Sequence, residues 1–261
     1  MLRLSELWIH PVKSLAGVRV PEAVVEDRGL RHDRRFMWVD PDGRFTTQRE
    51  LPAMARLQPA IEGGRLLVRA DGATLEVALD VDGAPRTVEV WGDRVDAVDA
   101  GDEAAAFFRR HLGAGGRLVR MPDAARRAAD PGHARPGDLV SFADGFPFLL
   151  VTDGSLAALN ERLERPVDVR RFRPNLVVSG AAPFAEDAWS ELRVGPVTFF
   201  PRKACSRCRI VDVDPDRGEP GRAVLAALAR FRKSGSRVLF GQNLVHDGRG
   251  VLREGDPVEV R

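Results

Sequence analysis

Two cysteines, Cys205 and Cys208, are all that the 261 residues contain. No disulfide framework can therefore hold the fold, and a chain of this length can bury a core without one. An excess of charge of one sign is also lacking. Lys and Arg number 40 against 38 Asp and Glu, a formal net charge of +2, too small to call for a nucleic acid or an acidic membrane as partner. No apolar run is long enough to span a bilayer, and the opening segment MLRLSELWIHPVKS breaks its apolar residues with charge and proline too early for a signal-peptide core. The compartment expected from this is the cytoplasm. Several signatures are missing as well: there is no Walker loop, no G-x-G-x-x-G, no H-E-x-x-H and no G-x-S-x-G, which removes the commonest nucleotide, zinc-protease and hydrolase chemistries. No internal repeat is visible, and the glycines from Gly113 to Gly116 read as a helix stop.

What is there is mostly short strands. RFMWV and RFTTQ flank Asp40-Pro41-Asp42-Gly43, RLLVR and TLEVAL flank Ala70-Asp71-Gly72-Ala73, and TVEVW and RVDAVDA flank Gly92-Asp93. Three hairpins in succession leave no room for crossover helices, so the first half is expected to be antiparallel β. Asp102 is placed to cap a helix whose Ala105, Phe108, Arg109 and Leu112 form one stripe ending at Gly113. From Pro122 to Gly137 the chain is rich in Ala, Arg, Pro, Asp and Gly without apolar periodicity, which suits an exposed linker or a mobile loop. A boundary just before it divides the chain into domains 1–120 and 121–261.

The second half opens on FPFLLV, followed by a helix over about 155–164 with Leu156, Leu159 and Leu163 on one face. NLVVSG, SELRVG, VTFF, RIVDV, VLFGQNLV and PVEV then read as strands, interrupted by a helix over about 222–233 with Leu225, Leu228 and Phe231 inward. The expected class is mainly β with a few helices, as two β-barrel-like domains.

Chemistry concentrates near the thiols. Arg202, Lys203, Arg207 and Arg209 surround Cys205 and Cys208 and are expected to favour a thiolate, which would make a metal ligand. A thioredoxin-like reading needs the pair at a helix N-terminus, but the flanks VTFF and RIVDV look like strands. Structural zinc would need further ligands from His10, His32, His111, His133 and His246, none of which are paired in sequence. Asp212, Asp214 and Asp216 start like a calcium loop, yet Arg217 stands where Gly belongs and Ala223 where Glu belongs. Three polar clusters break apolar stretches: Lys13-Ser14, Asp33-Arg34 and Arg173-Pro174-Asn175. Together they would offer a phosphate both charge and donors.

These segments resemble a known family. HisProValLysSer at 10–14, GlyLeuArgHisAspArgArgPheMet at 29–37 and ThrGlnArgGlu at 47–50 resemble the MOSC N-terminal β-barrel domain. PheArgProAsnLeuVal at 172–177, AlaCysSerArgCys at 204–208, ValAspProAspArgGly at 213–218, PheGlyGln at 240–242 and GlyAspProVal at 255–258 resemble the MOSC domain. The similarity spans nearly the whole chain and runs toward the mitochondrial amidoxime-reducing components and their bacterial relatives. The resemblance implies a molybdenum cofactor (Mo-molybdopterin) between two β-rich domains, with Cys208 as the metal-binding and catalytic thiolate. It also implies that Lys13, Ser14, Arg34 and Arg173 hold the pterin phosphate, with Thr152 and Asn175 as further candidates. The implied activity is that of an oxidoreductase reducing small N-hydroxylated compounds such as amidoximes and hydroxylamines. Its electrons would come from an external donor protein, a cytochrome, ferredoxin or flavin reductase, because two cysteines cannot hold the iron–sulfur cluster that some bacterial relatives append. No general acid can be assigned; Asp212 and His246 are candidates by residue type alone. The alternatives are a carrier of molybdenum cofactor or sulfur without turnover, with Cys208 holding a persulfide, and a zinc-stabilised interaction module.

Overall fold

The computed structural model describes residues 1–261. In the first half the strands are β1 (Arg3–Ile9), β2 (Val18–Arg19), β3 (Glu22–Glu26), β4 (Gly29–Leu30), β5 (Phe36–Val39), β6 (Gln58–Glu62), β7 (Arg65–Ala70), β8 (Ala73–Ala78), β9 (Pro85–Val90) and β10 (Asp93–Asp99), followed by helix α1 (Asp102–Leu112) and β11 (Arg117–Arg120). The second half has β12 (Phe148–Thr152), α2 (Asp153–Asn160), β13 (Leu176–Ser179), β14 (Leu192–Val194), β15 (Val197–Ser206), α3 (Ala223–Phe231), β16 (Lys233–Ser234), β17 (Arg237–Asp247), β18 (Gly250–Arg253) and β19 (Val258–Val260). The protein is mainly β with three helices, in agreement with the expected class.

The largest sheet runs β19-β14-β15-β17-β12-β13-β1-β2, with β16 pairing on β17. It is a curved half-barrel whose end strands β19 and β2 do not pair with each other. Three pairings were not evident in the sequence, two in this sheet and one in a separate three-stranded sheet, β18-β3-β4. β1, the first strand of the chain, pairs antiparallel with β13 from the second half, and β18 pairs with β3. β12 and β13 are parallel, joined through α2. Every residue of β12 is buried, as suits a strand covered on both faces, and this explains why FPFLLV shows no alternation. The main core, including Leu4, Leu7, Phe148, Leu176, Phe199 and Leu244, lies against this sheet; α2 and α3 cover its other side, clustering Leu159 and Leu228 with Phe240 of β17.

The hairpin β7–β8 turns at Asp71 (φ 47°) and Gly72 (φ 79°), the paired positive φ of a type I′ turn. The β9–β10 hairpin also exists, but its turn lies one residue earlier than expected, at Trp91 and Gly92. The first expected hairpin is reduced to a single bridge, Val39 to Phe45, because β5 takes β11 as its ladder partner. Helix α1 is capped by Gly101 and not by Asp102, which is the first helical residue and pairs with Arg117 at 2.6 Å. Its inward face is Ala104, Ala105, Phe108 and Leu112, while Arg109 is exposed. Helix α2 ends four residues short of the expected 164, and α3 lies inside its expected span.

The stretch 122–137 is not an exposed linker. It is irregular but packed: Ala125, Arg127 and Ala129 are buried. The Arg127 guanidinium donates to Asp93 (2.8 Å) and to the carbonyls of Ser141, Ala143 and Asp144 (2.9, 2.5 and 3.0 Å). RIVDV is likewise not a strand, since residues Arg209–Asp212 form a 3₁₀ turn whose Val211 and Asp212 face inward.

Asp99, at the end of β10, ties this hairpin to β11. Burial alone would raise its carboxyl, but hydrogen bonds from Arg117, the Gly101 N–H and Arg86 outweigh it and bring the pKa from 3.8 down to about 2. A depressed acid stabilises the fold in full above its unfolded value and loses that contribution as pH falls from about 4 to about 2. Asp99→Asn should therefore cost about 2 kcal/mol at pH 7. Melting curves of both proteins should converge on acidification, and a gap that stays constant down to pH 2.5 would contradict this account.

Candidate functional site

The candidate cleft is built where the two halves of the chain interlock. Asp33 is buried at the loop before β5; one carboxylate oxygen accepts the His10 N–H (2.7 Å) and the other accepts the Arg34 guanidinium (2.7 Å). Arg34 crosses to the second half, donating to Asn175 Oδ1 (3.1 Å) and to the Arg173 carbonyl (3.0 Å). Asn175 completes the clamp by accepting from the Leu149 N–H (3.2 Å) and donating to the Trp8 carbonyl (3.2 Å). The amide is thus used within the fold. Ser14, Arg34 and Arg173 all have positive φ (66°, 48° and 57°). Such backbone is uncommon outside glycine and clusters where surrounding structure holds strain for function.

The cleft has a cavity volume of about 140 Å³ and is lined by Lys13, Ser14, Arg34, Thr47, Arg49, Asp144, Arg173, Asn175, Cys205, Arg207 and Cys208 among others. Lys13 is buried, its ammonium donating to the Phe142 carbonyl (2.9 Å) and paired with Asp144. Burial lowers the Lys13 pKa, with the Asp144 carboxylate opposing the shift. Surrounding protein would raise the Asp144 carboxyl, but the Lys13 ammonium and the Trp91 N–H hold it well below the ordinary range.

Arg173 is the least compensated group. One nitrogen donates to the Leu15 carbonyl, while the other, Nη2, is buried without a partner. Burial, then repulsion from Arg34, pulls its pKa down to about 9. The same two effects, with Arg173 added, hold His10 neutral in the ordinary range, its Nε2 against the Pro174 carbonyl at 3.0 Å. Arg207 also keeps a buried, unpartnered Nη2, although its Nε and Nη1 donate to the carbonyls of Phe240 and Phe172.

The two thiols differ. Cys205 lies within β15, half-buried, and burial pushes its pKa up. Burial outweighs the Arg207 guanidinium, which pulls the Cys205 thiol the other way, and Lys203 is paired with Asp130 at 2.8 Å. Cys208 follows the strand, precedes the 3₁₀ turn, caps nothing with its side chain and is exposed at the cleft.

Lys13, Ser14, Arg34, Arg173, Asn175 and Cys208 therefore line one cavity. Thr152 does not; it caps α2 through the Ser155 N–H and is hydrogen bonded to Ser155 and Glu186. Asp212 is also elsewhere, its Oδ1 accepting from Val224 N and Leu225 N at the start of α3. His246 packs on Phe148 and Phe199 beside Asp138 and Asp247, outside the cleft. Neither serves as a general acid there. No group of three or more His, Cys, Asp or Glu side chains is placed to hold a metal, so a zinc module lacks its ligand set. The sequence reading missed Thr47, Arg49, Asp144 and Arg207 as cleft residues; Thr47 and Arg49 lie in the ThrGlnArgGlu segment and carried that signal.

Residues 1–115 match the MOSC N-terminal beta barrel domain and residues 137–259 the MOSC domain. The chain is 34 % identical, over an alignment 277 positions long with gaps, to mitochondrial amidoxime-reducing component 1 of Homo sapiens, covering 98 % of this chain and 82 % of that one. The chain belongs to the MOSC family. Mitochondrial amidoxime reducing component 2 of Bos taurus is 34 % identical with 98 % and 82 % coverage. The molybdenum cofactor sulfurase of Oryza sativa subsp. japonica is 29 % identical across 92 % of this chain, which spans only 32 % of that larger protein. Within this MOSC chain no helix is long and apolar enough to cross a membrane.

Proposed function

We propose that the chain is a molybdenum-cofactor-dependent oxidoreductase that reduces small N-hydroxylated compounds with electrons from a separate donor protein. The observation that carries this reading is the joining, in one cleft, of an exposed cysteine with a partly buried arginine whose Nη2 is buried without a partner. A buried cation without its anion is costly, and a phosphate supplies both the charge and the acceptors. A soft thiolate suits molybdenum, so the residues present fit a phosphate-bearing metal cofactor. Lys13, Ser14, Arg34 and Arg173 would hold the organic part, with Asn175 holding Arg34 in place, and Cys208 the metal. When bound, the cofactor supplies two-electron redox chemistry, so that an N–OH group, two electrons and two protons give N–H and water.

The chain's own residues do the positioning. Arg34 is fixed by Asp33 and Asn175, which sets its guanidinium without rotamer freedom. His10 stays neutral beneath the two arginines and adds no charge to the pocket. The division at 120/121, with residues 1–120 as the MOSC N-terminal domain, belongs to this reading, as do a cytoplasmic location and the absence of nucleic-acid or membrane partners.

Protein from a cofactor-competent host should contain molybdenum and pterin, reduce benzamidoxime to benzamidine with a reduced viologen, and do nothing with NADH or NADPH alone. The last outcome follows from the missing Rossmann-type phosphate turn and cluster cysteines. Efficient NADH-dependent turnover by the pure chain would overturn it. Similarity to the sulfurase favours one alternative, a carrier; such a protein would be loaded, inert toward benzamidoxime and able to pass its cofactor to an apo-enzyme.

A further inference from the structure

Arg49 is the cation of the cleft that is held in place without an acceptor for its fork. Of the others, Lys13 pairs with Asp144, Arg34 with Asp33 at 2.7 Å and Arg171 with Asp214 at 3.1 Å. Arg173 and Arg207 each keep an unpartnered nitrogen, but it is enclosed by protein. Arg49 differs. Its side chain is 20 % exposed, and its only side-chain hydrogen bond runs from Nε to the Thr47 hydroxyl at 3.2 Å. Both terminal nitrogens lack a protein acceptor, and neither is enclosed. The nearest carboxylate, Glu50, stands 3.9 Å from Nε, and its other oxygen accepts the N–H and the hydroxyl of Thr47.

The guanidinium is nevertheless fixed. It lies 4.6 Å from the centroid of the Trp91 ring, and the indole is held in turn by its N–H on Asp144 at 3.0 Å and by Phe45 at 5.0 Å. Stacking uses the face of the planar cation and leaves the donors along its edge free. The strained φ of 53° at Trp91 places an aromatic ring where turn chemistry favours Asn or Gly, and this buttress is what it secures. Behind the side chain, the Arg49 carbonyl accepts from Arg209, the residue after Cys208, at 2.5 Å. The fork is therefore pre-set in the wall of the cavity that Cys208 also lines.

We propose that Arg49 is the receptor for a carboxylate on the substrate, so that the cleft prefers N-hydroxylated acids over their neutral counterparts. This rests on reading the cleft as the reductase site. Enclosed donors such as that of Arg173 suit a resident group, whereas a donor pair reached by solvent suits a ligand that comes and goes. A carboxylate meets a guanidinium fork through two parallel hydrogen bonds, which fixes its orientation as well as its charge. Asp144 is the one carboxylate of the lining that could oppose such an anion, and it is already paired with Lys13.

The test measures binding, independently of turnover. Calorimetric titration of the cofactor-loaded protein should show 4-carboxybenzamidoxime binding at least about tenfold tighter than its methyl ester, which has the same ring and N–OH head without the charge. In Arg49→Met the ratio should fall to near one while cofactor content matches the wild type. In Arg49→Lys, which keeps the charge and loses the fork, no more than about a third of the preference should remain. A wild-type ratio near one, or a preference that survives in Arg49→Met, would overturn the proposal. So would loss of cofactor from Arg49→Met, which would make the arginine part of the cofactor site, and full preference in Arg49→Lys, which would leave the fork without a role. Failure of the viologen-driven turnover with both compounds would instead strike the reductase reading and leave the binding result standing.

Discussion

Cys208→Ser is expected to lower the viologen-driven reduction of benzamidoxime by more than about 100-fold, since residues that merely support a metal ligand already cost about 10–100-fold when removed. Cys205→Ser should retain most of the activity. The two thiols are three residues apart in sequence but differ in setting: Cys208 is exposed at the cleft after the strand has ended, while Cys205 is half-buried within β15 with its pKa pushed up by burial. Serine replaces a soft donor with a hard one and leaves the backbone turn unchanged, so the fold should be unaffected. Molybdenum content and the metal's X-ray absorption edge check the assignment directly. Equal losses in the two variants would mean a redox pair or a shared site, and the single-ligand assignment would fall.

Arg173→Met should reduce the cofactor retained after dialysis by about 10-fold or more, because a hydrogen bond to a charged group contributes about 1.5–3 kcal/mol. The more telling result concerns the cofactor-free chain. Arg173 keeps one buried nitrogen unpartnered and faces the like charge of Arg34. Removing its charge should leave the melting temperature of that chain unchanged or raise it. Arg127→Met is the contrast, since that buried guanidinium is fully engaged with Asp93 and three carbonyls. It should destabilise the chain by about 2–3 kcal/mol, because the carbonyls it satisfies lose their donor, while Asp93 is half exposed and can be hydrated. A large loss of stability in cofactor-free Arg173→Met, with full cofactor retention in the loaded form, would make Arg173 a structural residue.

Much of the fold was legible where local chemistry and tertiary structure agree. Asp71-Gly72 marks its hairpin because two positive-φ positions favour those residues, and Gly113 marks the end of α1 by its left-handed backbone. Trp91 was misplaced by one position for the converse reason: the turn is occupied by a residue that turn chemistry disfavours. The stretch after Pro122 read as a linker because its composition is polar and small. Its burial alternates, Ala125, Arg127, Ala129, and the buried member in the middle is an arginine that only a tertiary partner could make tolerable. Asp212 and Thr152 show the limit on site residues. Both are polar groups next to suggestive motifs, and both are consumed as helix caps. The polar clusters at 13–14, 33–34 and 173–175 could be named individually, but only the crossing of β1 onto β13 brings them together.

That crossing also sets the order in which the molecule can come into being. Ser5 donates to the Val177 carbonyl across 172 positions of sequence. At a synthesis rate of about 5–20 residues per second, the first strand emerges from the ribosome roughly ten to thirty seconds before its neighbour exists. During that interval its ladder edge is open and its apolar residues Leu4, Leu7 and Ile9 have no sheet to enter. Contacts of such long span carry a high loop-closure cost and form slowly. The pocket therefore matures late, as the newborn chain closes back on its own beginning, and any cargo for it must be loaded after translation has passed β13.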